Sequence, residues 1–259
     1  MNNGYILFYD SGVGGINTFL KTKELLPNEN YIYYADDKNC PYGNKSNKQL
    51  KSLVVRQIKR LLKTYNIKLL VFACNTVTTA VVPYLRTCLD VPIVGTEPAI
   101  IPASKISKTK KVLVIATAST IKQFKFKSLE KRAGAIIYSV GLKKLAKEIE
   151  QKMLYGKEFD FESYIKTFNK KIKRFNIDVV VLGCTHYCFY KGLFNSKLNV
   201  KVIDGNLGVA KRVKSLIEEY GMNAKEKKQD VLLLSSKDKV KTNLYWELIK
   251  GDSGITEDL

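Results

Sequence analysis

Val179-Val-Val-Leu-Gly-Cys184-Thr185-His186 reads as a buried strand running into chemistry. Aliphatic residues lead into Gly183, and a parallel strand covered on both faces is written as such an unbroken apolar run. A thiol, a hydroxyl and the only histidine of the chain follow. Ligands of open α/β sheets sit beyond the carboxyl ends of the strands, so Cys184, Thr185 and His186 stand where chemistry is usually done. The arrangement occurs once more, at Leu69-Leu-Val-Phe-Ala-Cys74-Asn75-Thr76. One buried strand-end cysteine is ordinary core, because free cysteine is among the most buried residue types. Two presented alike, each followed by small polar side chains, predict a functional pair facing each other across a cleft.

Working outward, residues 5–9 read as a first strand. Asp10-Ser11-Gly-Val-Gly-Gly15 is then a turn opening a helix over 16–26 that stops at Pro27. Glycines let the backbone approach a ligand and helix-start N–H groups favour an anion, although the pattern is neither a Walker loop nor G-x-G-x-x-G. Further strands are predicted at 31–35, 91–95, 111–116, 135–138, 200–204 and 231–235. Helices are predicted over 47–66, 78–89, 143–154, 161–175, 207–220 and 243–249, with a frayed end after Gly251. Pro41-Tyr42-Gly43 is turn chemistry, with Tyr42 able to close over a pocket. Thr117 and Thr120 fall where the helix after the 111–116 strand is capped.

The two halves share a layout. From Asp10 to Cys74 is 64 positions and from Thr117 to Cys184 is 67. Each stretch opens on a hydroxyl-bearing turn and closes on a strand-end cysteine. This predicts an α/β protein of two pseudo-symmetric domains with mostly parallel sheets and an active site in the cleft between them. The expected domains are 1–97 plus 207–259, and 98–206.

Composition narrows the classes. No apolar run approaches the ~20 residues that span a bilayer, and the first residues lack a basic region and cleavage site. A cytoplasmic protein without a membrane partner is expected. Cys40, Cys74, Cys88, Cys184 and Cys188 make an odd number without C-x-x-C, which reads as reduced thiols. Cys184-x-His186-x-Cys188 lacks a fourth ligand, so no metal is expected. The net charge of +20 is spread along the chain. It reads as a solvated lysine-rich surface with, at low salt, nonspecific affinity for nucleic acid.

A thiolate is a base toward carbon acids and a thiol is a usable acid. One of each, on opposite faces of a stereocentre, moves protons without a cofactor. Free cysteine titrates near pH ~8.5, so each base needs help: Asp10 is placed to assist Cys74, and His186 to assist Cys184. Ser11, Asn75, Thr76, Thr117, Thr120 and Thr185 offer hydrogen bonds to the carboxylate of a carbanionic intermediate. A hydrolase using Cys184 with His186 fits less well, because two residues on one turn seldom make a nucleophile–base contact.

The chain resembles the glutamate racemases, cofactor-independent enzymes of the aspartate/glutamate racemase superfamily. The resemblance rests on Phe8-Tyr-Asp-Ser-Gly-Val-Gly-Gly15, Pro41-Tyr-Gly43, Ala73-Cys-Asn-Thr76, Val91-Pro-Ile-Val-Gly95 with Glu97-Pro-Ala99, and Leu182-Gly-Cys-Thr-His-Tyr187. It covers the chain to about residue 213. It implies that Cys74 and Cys184 are the acid/base pair, and that Asp10, Ser11, Tyr42, Gly43, Asn75, Thr76, Thr185 and His186 bind or orient glutamate. It also implies no cofactor, a split first domain rejoined by the C-terminal segment, and D-glutamate supplied to peptidoglycan; a homodimer is the expected assembly. A racemase of aspartate or another acidic amino acid, and a basic nucleic-acid- or protein-binding paralogue, are the alternatives. The sequence departs from the family at Ala116 and Cys188, and around Ser139-Val-Gly-Leu142. Alignment sets Lys147 at an acidic position of the second half, with Glu148 beside it as the candidate replacement.

Overall fold

The computed structural model describes residues 3–42, 45–225, 230–236 and 239–250. It divides into two units: one takes the chain up to Thr96 and again from Asn206, and the other runs Glu97–Gly205.

The first unit holds β1 (Tyr5–Asp10), β2 (Asn30–Ala35), β3 (Ile67–Phe72), β4 (Ile93–Gly95) and β9 (Val231–Ser235) in the order β4-β3-β1-β2-β9. The second holds β5 (Lys111–Thr117), β6 (Ile136–Leu142), β7 (Val179–Gly183) and β8 (Lys201–Ile203) in the order β6-β5-β7-β8. All pairs are parallel. Read from the other edge, the second sheet is β8-β7-β5-β6, which matches β4-β3-β1-β2 strand for strand. β5 therefore corresponds to β1, and β7 to β3. The duplicated α/β layout is present in the topology, with β9 as an addition to the first copy.

Helices α1 (Ile16–Leu25), α2 (Asn47–Thr64), α3 (Asn75–Ala80), α4 (Val82–Leu85), α11 (Asn206–Glu219) and α12 (Lys239–Lys250) belong to the first unit. In the second unit are α5 (Ile100–Ile106), α6 (Ala118–Lys122), α7 (Phe124–Arg132), α8 (Leu145–Tyr155), α9 (Phe161–Phe175) and α10 (Lys191–Leu198). Their limits have local causes. Ser46 and Gln49 close a capping box at the start of α2, and Leu50, Val54, Ile58 and Leu61 bury one stripe of it. The Asp160 carboxylate accepts the Ser163 N–H at the start of α9, and Asn176 ends that helix in the left-handed region at φ 53°.

Three expectations change. The helix over 78–89 is two shorter ones: α3 begins directly after Cys74, and the chain breaks at Val81 ahead of Pro83, which has no N–H to continue the ladder. The strand predicted at 135–138 runs to Leu142; it is an edge strand, half-buried and interrupted by Ser139 and Gly141, so it carries no apolar run. Helix α5 was not anticipated. The end after Gly251 lies outside the described residues.

Asp178, just before β7, ties the start of β5 in place. It accepts from Ser107 Oγ at 2.6 Å, Lys108 N at 2.6 Å, Thr109 N at 3.1 Å and Thr109 Oγ1 at 2.8 Å. Burial pushes its carboxyl up, but these bonds outweigh it and hold the group below the ordinary carboxylate range. A carboxyl depressed on folding contributes stability above the unfolded-state value, near pH ~3.9, and loses it as pH falls through the folded value. Asp178→Ala is expected to cost about 1–3 kcal/mol at neutral pH, a difference from wild type that shrinks in acid. Thermal melts across that range check this, and a constant difference down to pH ~2 argues against it.

Candidate active site

In the first sheet β2 lies on one side of β1 and β3 on the other. A reversal of this kind opens a crevice at the carboxyl ends of the two central strands. Asp10 is the last residue of β1, and Cys74 follows β3 as the N-cap of α3. The turn after Asp10 is tightly held. Asp10 Oδ1 accepts the Gly12 N–H at 2.9 Å, and the Tyr33 hydroxyl donates to Gly12 O at 2.8 Å. Ser11 Oγ stands 3.5 Å from Asp10 Oδ1 and 3.9 Å from Cys74 Sγ. Gly15 is required where the helix returns: a Cβ there would lie 2.7 Å from that of Ala73 and 3.0 Å from that of Asp10.

Cys74 is buried, and its thiol is pushed up to about 12, first by burial and then by the Asp10 charge. The N–H groups of Val77 and Thr76 and the Ser11 hydroxyl act in the opposite sense, toward thiolate. Asn75 and Thr76 are buried beside it, and among the described residues Asn75 Oδ1 has no hydrogen-bond partner. A buried carbonyl oxygen in that condition is suited to a ligand N–H.

Because the Asp10 carboxylate opposes thiolate formation, Asp10→Asn is expected to move the Cys74 titration to lower pH. The pH dependence of alkylation at Cys74, read by peptide mass spectrometry, reports it; a midpoint that stays or rises contradicts the assigned cause.

The second sheet repeats the device. Ala116 on β5 pairs with Gly183 on β7, so Thr117 and Cys184 occupy neighbouring strand ends at the corresponding switch point. Thr117 Oγ1 accepts the Thr120 N–H at 3.1 Å and lies 2.8 Å from Thr120 Oγ1. Cys184 caps a 3-10 turn over Thr185–Tyr190, and Thr185 and His186 are buried in it.

One reading of the sequence needs correction. Tyr42 is not a lid: its ring is packed in the core, and its hydroxyl donates to Asp36 Oδ2 at 2.5 Å and lies 2.9 Å from Tyr9 Oη. It anchors the loop that carries the exposed Pro41; Gly43 lies outside the described residues. In the second half, Glu148 Oε2 accepts from the Tyr164 hydroxyl at 2.7 Å. Glu150 is buried on α8, with Oε2 4.0 Å from His186 Nε2. Sequence reading missed it, although a signal existed: Glu150 follows Ile149 at the edge of the buried stripe of α8, whereas Lys147 is exposed.

The fold and these two strand ends define a class, a duplicated parallel α/β enzyme with one buried cysteine at each switch point. Residues 21–213 match the Asp/Glu/hydantoin racemase family, and the chain belongs to it. It is 38% identical over 240 residues to the glutamate racemase of Clostridium botulinum, covering 90% of this chain and 92% of that one. To the enzyme of Halothermothrix orenii it is 36% identical over 252 residues, covering 93% and 97%. Among solved structures, the Escherichia coli glutamate racemase in complex with L-glutamate and the activator UDP-MurNAc-ala superimposes with a TM-score of 0.82. That match is 27% identical and covers 96% of this chain and 95% of that one. Among the described residues no helix is long and apolar enough to cross a membrane.

Proposed function

We propose that this racemase interconverts L- and D-glutamate by two-base proton transfer between Cys74 and Cys184, and that the D-glutamate serves peptidoglycan synthesis. The observation that carries the reading is the repetition itself: two equivalent strand ends, in topologically equivalent sheets, each deliver a buried thiol. The named relatives above support glutamate as the substrate.

In this mechanism one thiolate takes the α-proton while the other, as thiol, returns a proton to the opposite face. The enzyme ends with the protonation of the pair exchanged. Cys74 rests as a thiol, because burial and Asp10 both disfavour its anion. An arriving α-ammonium group is drawn to Asp10, which relieves that opposition and makes the thiolate accessible. Asn75 Oδ1 is suited to accept from the same ammonium. Ser11, Thr76, Thr117, Thr120 and Thr185 are the donors proposed for the substrate carboxylates, where charge builds as Cα loses its proton. Glu150, with Oε2 4.0 Å from His186 Nε2, is the carboxylate proposed to orient that ring near Cys184.

Purified protein mixed with L-glutamate alone is expected to lose circular dichroism to the racemic endpoint, and D-glutamate to approach it from the other side. L-aspartate under the same conditions should remain largely unchanged. Full turnover of aspartate with none of glutamate overturns the substrate assignment. The helpers should act on different directions. At saturating substrate, Asp10→Asn is expected to lower kcat mainly in the direction in which Cys74 is the base, and Glu150→Gln or His186→Asn mainly in the opposite one, by about 10²-fold. kcat/KM should fall equally from both enantiomers, because their equilibrium constant is one. Glu148→Gln should change neither. Saturating kcat values from each enantiomer measure this, and equal kcat losses in both directions for every variant count against the assignment.

A further inference from the structure

Helix α2 bears Lys48, Lys51, Arg56, Lys59, Arg60 and Lys63 on its exposed surface and has no acidic residue. These six cations and Tyr84 line a groove of about 740 Å³, which runs about 22 Å along the helix at 1.5 Å per residue. Among the described residues none of the six is in an ion pair. Elsewhere the chain does neutralise its lysines within helices: Lys21 with Glu24 on α1, Lys127 with Glu130 on α7, Lys214 with Glu218 on α11. Lys166, Lys170 and Lys173 on α9, like the α2 cations, are exposed and in no ion pair among the described residues, so what sets α2 apart is its groove with the Tyr84 ring. Its cations also stand three or four positions apart at 48/51, 56/59, 56/60, 59/63 and 60/63, spacings at which like charges destabilise a helix.

We infer that the α2 groove binds a single-stranded nucleic acid, independently of the racemase site. The charge calls for a row of phosphates at successive helical turns. Tyr84 adds an aromatic ring, 40% exposed, with Lys51 Nζ 3.3 Å from the ring centroid. A basic track beside an aromatic platform is the combination by which single strands are held without sequence readout. A membrane surface fits less well, because Leu50, Val54, Ile58 and Leu61 of α2 are turned into the core and leave no apolar face to insert.

The test measures binding of a fluorescent 20-residue oligothymidylate by anisotropy, at several salt concentrations. Arg56→Glu/Lys59→Glu/Lys63→Glu should weaken binding about ten-fold or more near ~0.1 M salt and flatten the salt dependence. A charge-matched control on the exposed face of α9, Lys166→Glu/Lys170→Glu/Lys173→Glu, should cost less than about two-fold. Tyr84→Ala should cost about five-fold or more through lost stacking. Turnover of glutamate should be unchanged in all three, and the binding result stands whether or not glutamate is the substrate. Equal loss in the control triple, absence of binding to the wild-type protein, or tighter capture by polyglutamate or by anionic vesicles each overturns the inference.

Discussion

Cys74→Ala and Cys184→Ala are each expected to lower turnover by about 10³-fold or more, from L-glutamate and from D-glutamate alike. Inversion needs a proton removed at one face of Cα and another delivered at the opposite face. Losing either thiol leaves one of those transfers without a group. The forward and reverse reactions share one transition-state sequence, so the loss appears in both directions. Both side chains are small, and alanine in place of cysteine removes only the sulfur. The melting temperatures should stay close to wild type, which separates a chemical defect from a folding one. Near-normal turnover in either variant would sink the two-base model. Deuterium sharpens the test. A thiol proton exchanges with solvent, so in D₂O the product should carry deuterium at Cα while substrate recovered from the first turnovers carries little. Recovered substrate labelled as fast as product points instead to one base serving both faces.

Much of this was legible because buried parallel strands announce themselves. β1, β3 and β7 are covered on both faces, and their apolar runs end at Asp10, Cys74 and Cys184. The α9 limits were readable from Asp160 and Asn176, which act within a few residues of their own backbone. Where partners are distant the reading failed. Edge strand β6 has no apolar run to display. Asn75 and Thr76 look like a loop in sequence, yet they begin α3 and are buried at the switch point. Tyr42 looked like a mobile turn residue because its partners Asp36 and Tyr9 are known only once the sheet is built. Glu150 illustrates the same limit: its relation to His186 spans two elements that only the fold brings together. Motif order suggested the chemistry, and tertiary packing shows which carboxylate stands near His186.

The largest expected loss of stability comes from a pair far from that chemistry. Lys68 and Glu29 form an ion pair with side chains only 3% and 4% exposed. Lys68 Nζ also donates to Met222 O at 2.7 Å, and Glu29 Oε1 accepts the Ala224 N–H at 2.9 Å. The pair thus clamps the segment after α11, on its way to β9, against residues before β2 and within β3. This is the stretch by which the chain, after completing the second unit, is fixed again to the first. Thr18 Oγ1, donating to Asn206 Oδ1 at 2.8 Å, fixes its beginning in the same way. A buried pair gains little over a well-packed apolar pair, since desolvation offsets most of the attraction. Removing one partner is different, because a buried charge is left uncompensated, and loss of Lys68 also takes the donor from Met222 O. Lys68→Met and Glu29→Gln are each expected to cost about 3–5 kcal/mol. For a chain of this size that corresponds to a fall in melting temperature of roughly 6–20 °C. The double variant Lys68→Met/Glu29→Leu should recover a substantial part of it, since no lone charge then remains. Both single variants should keep their turnover at temperatures where they are folded. Single variants within about 1 kcal/mol of wild type, or a double variant as unstable as the sum of the two, would show that the clamp does not hold the returning segment through this charge pair.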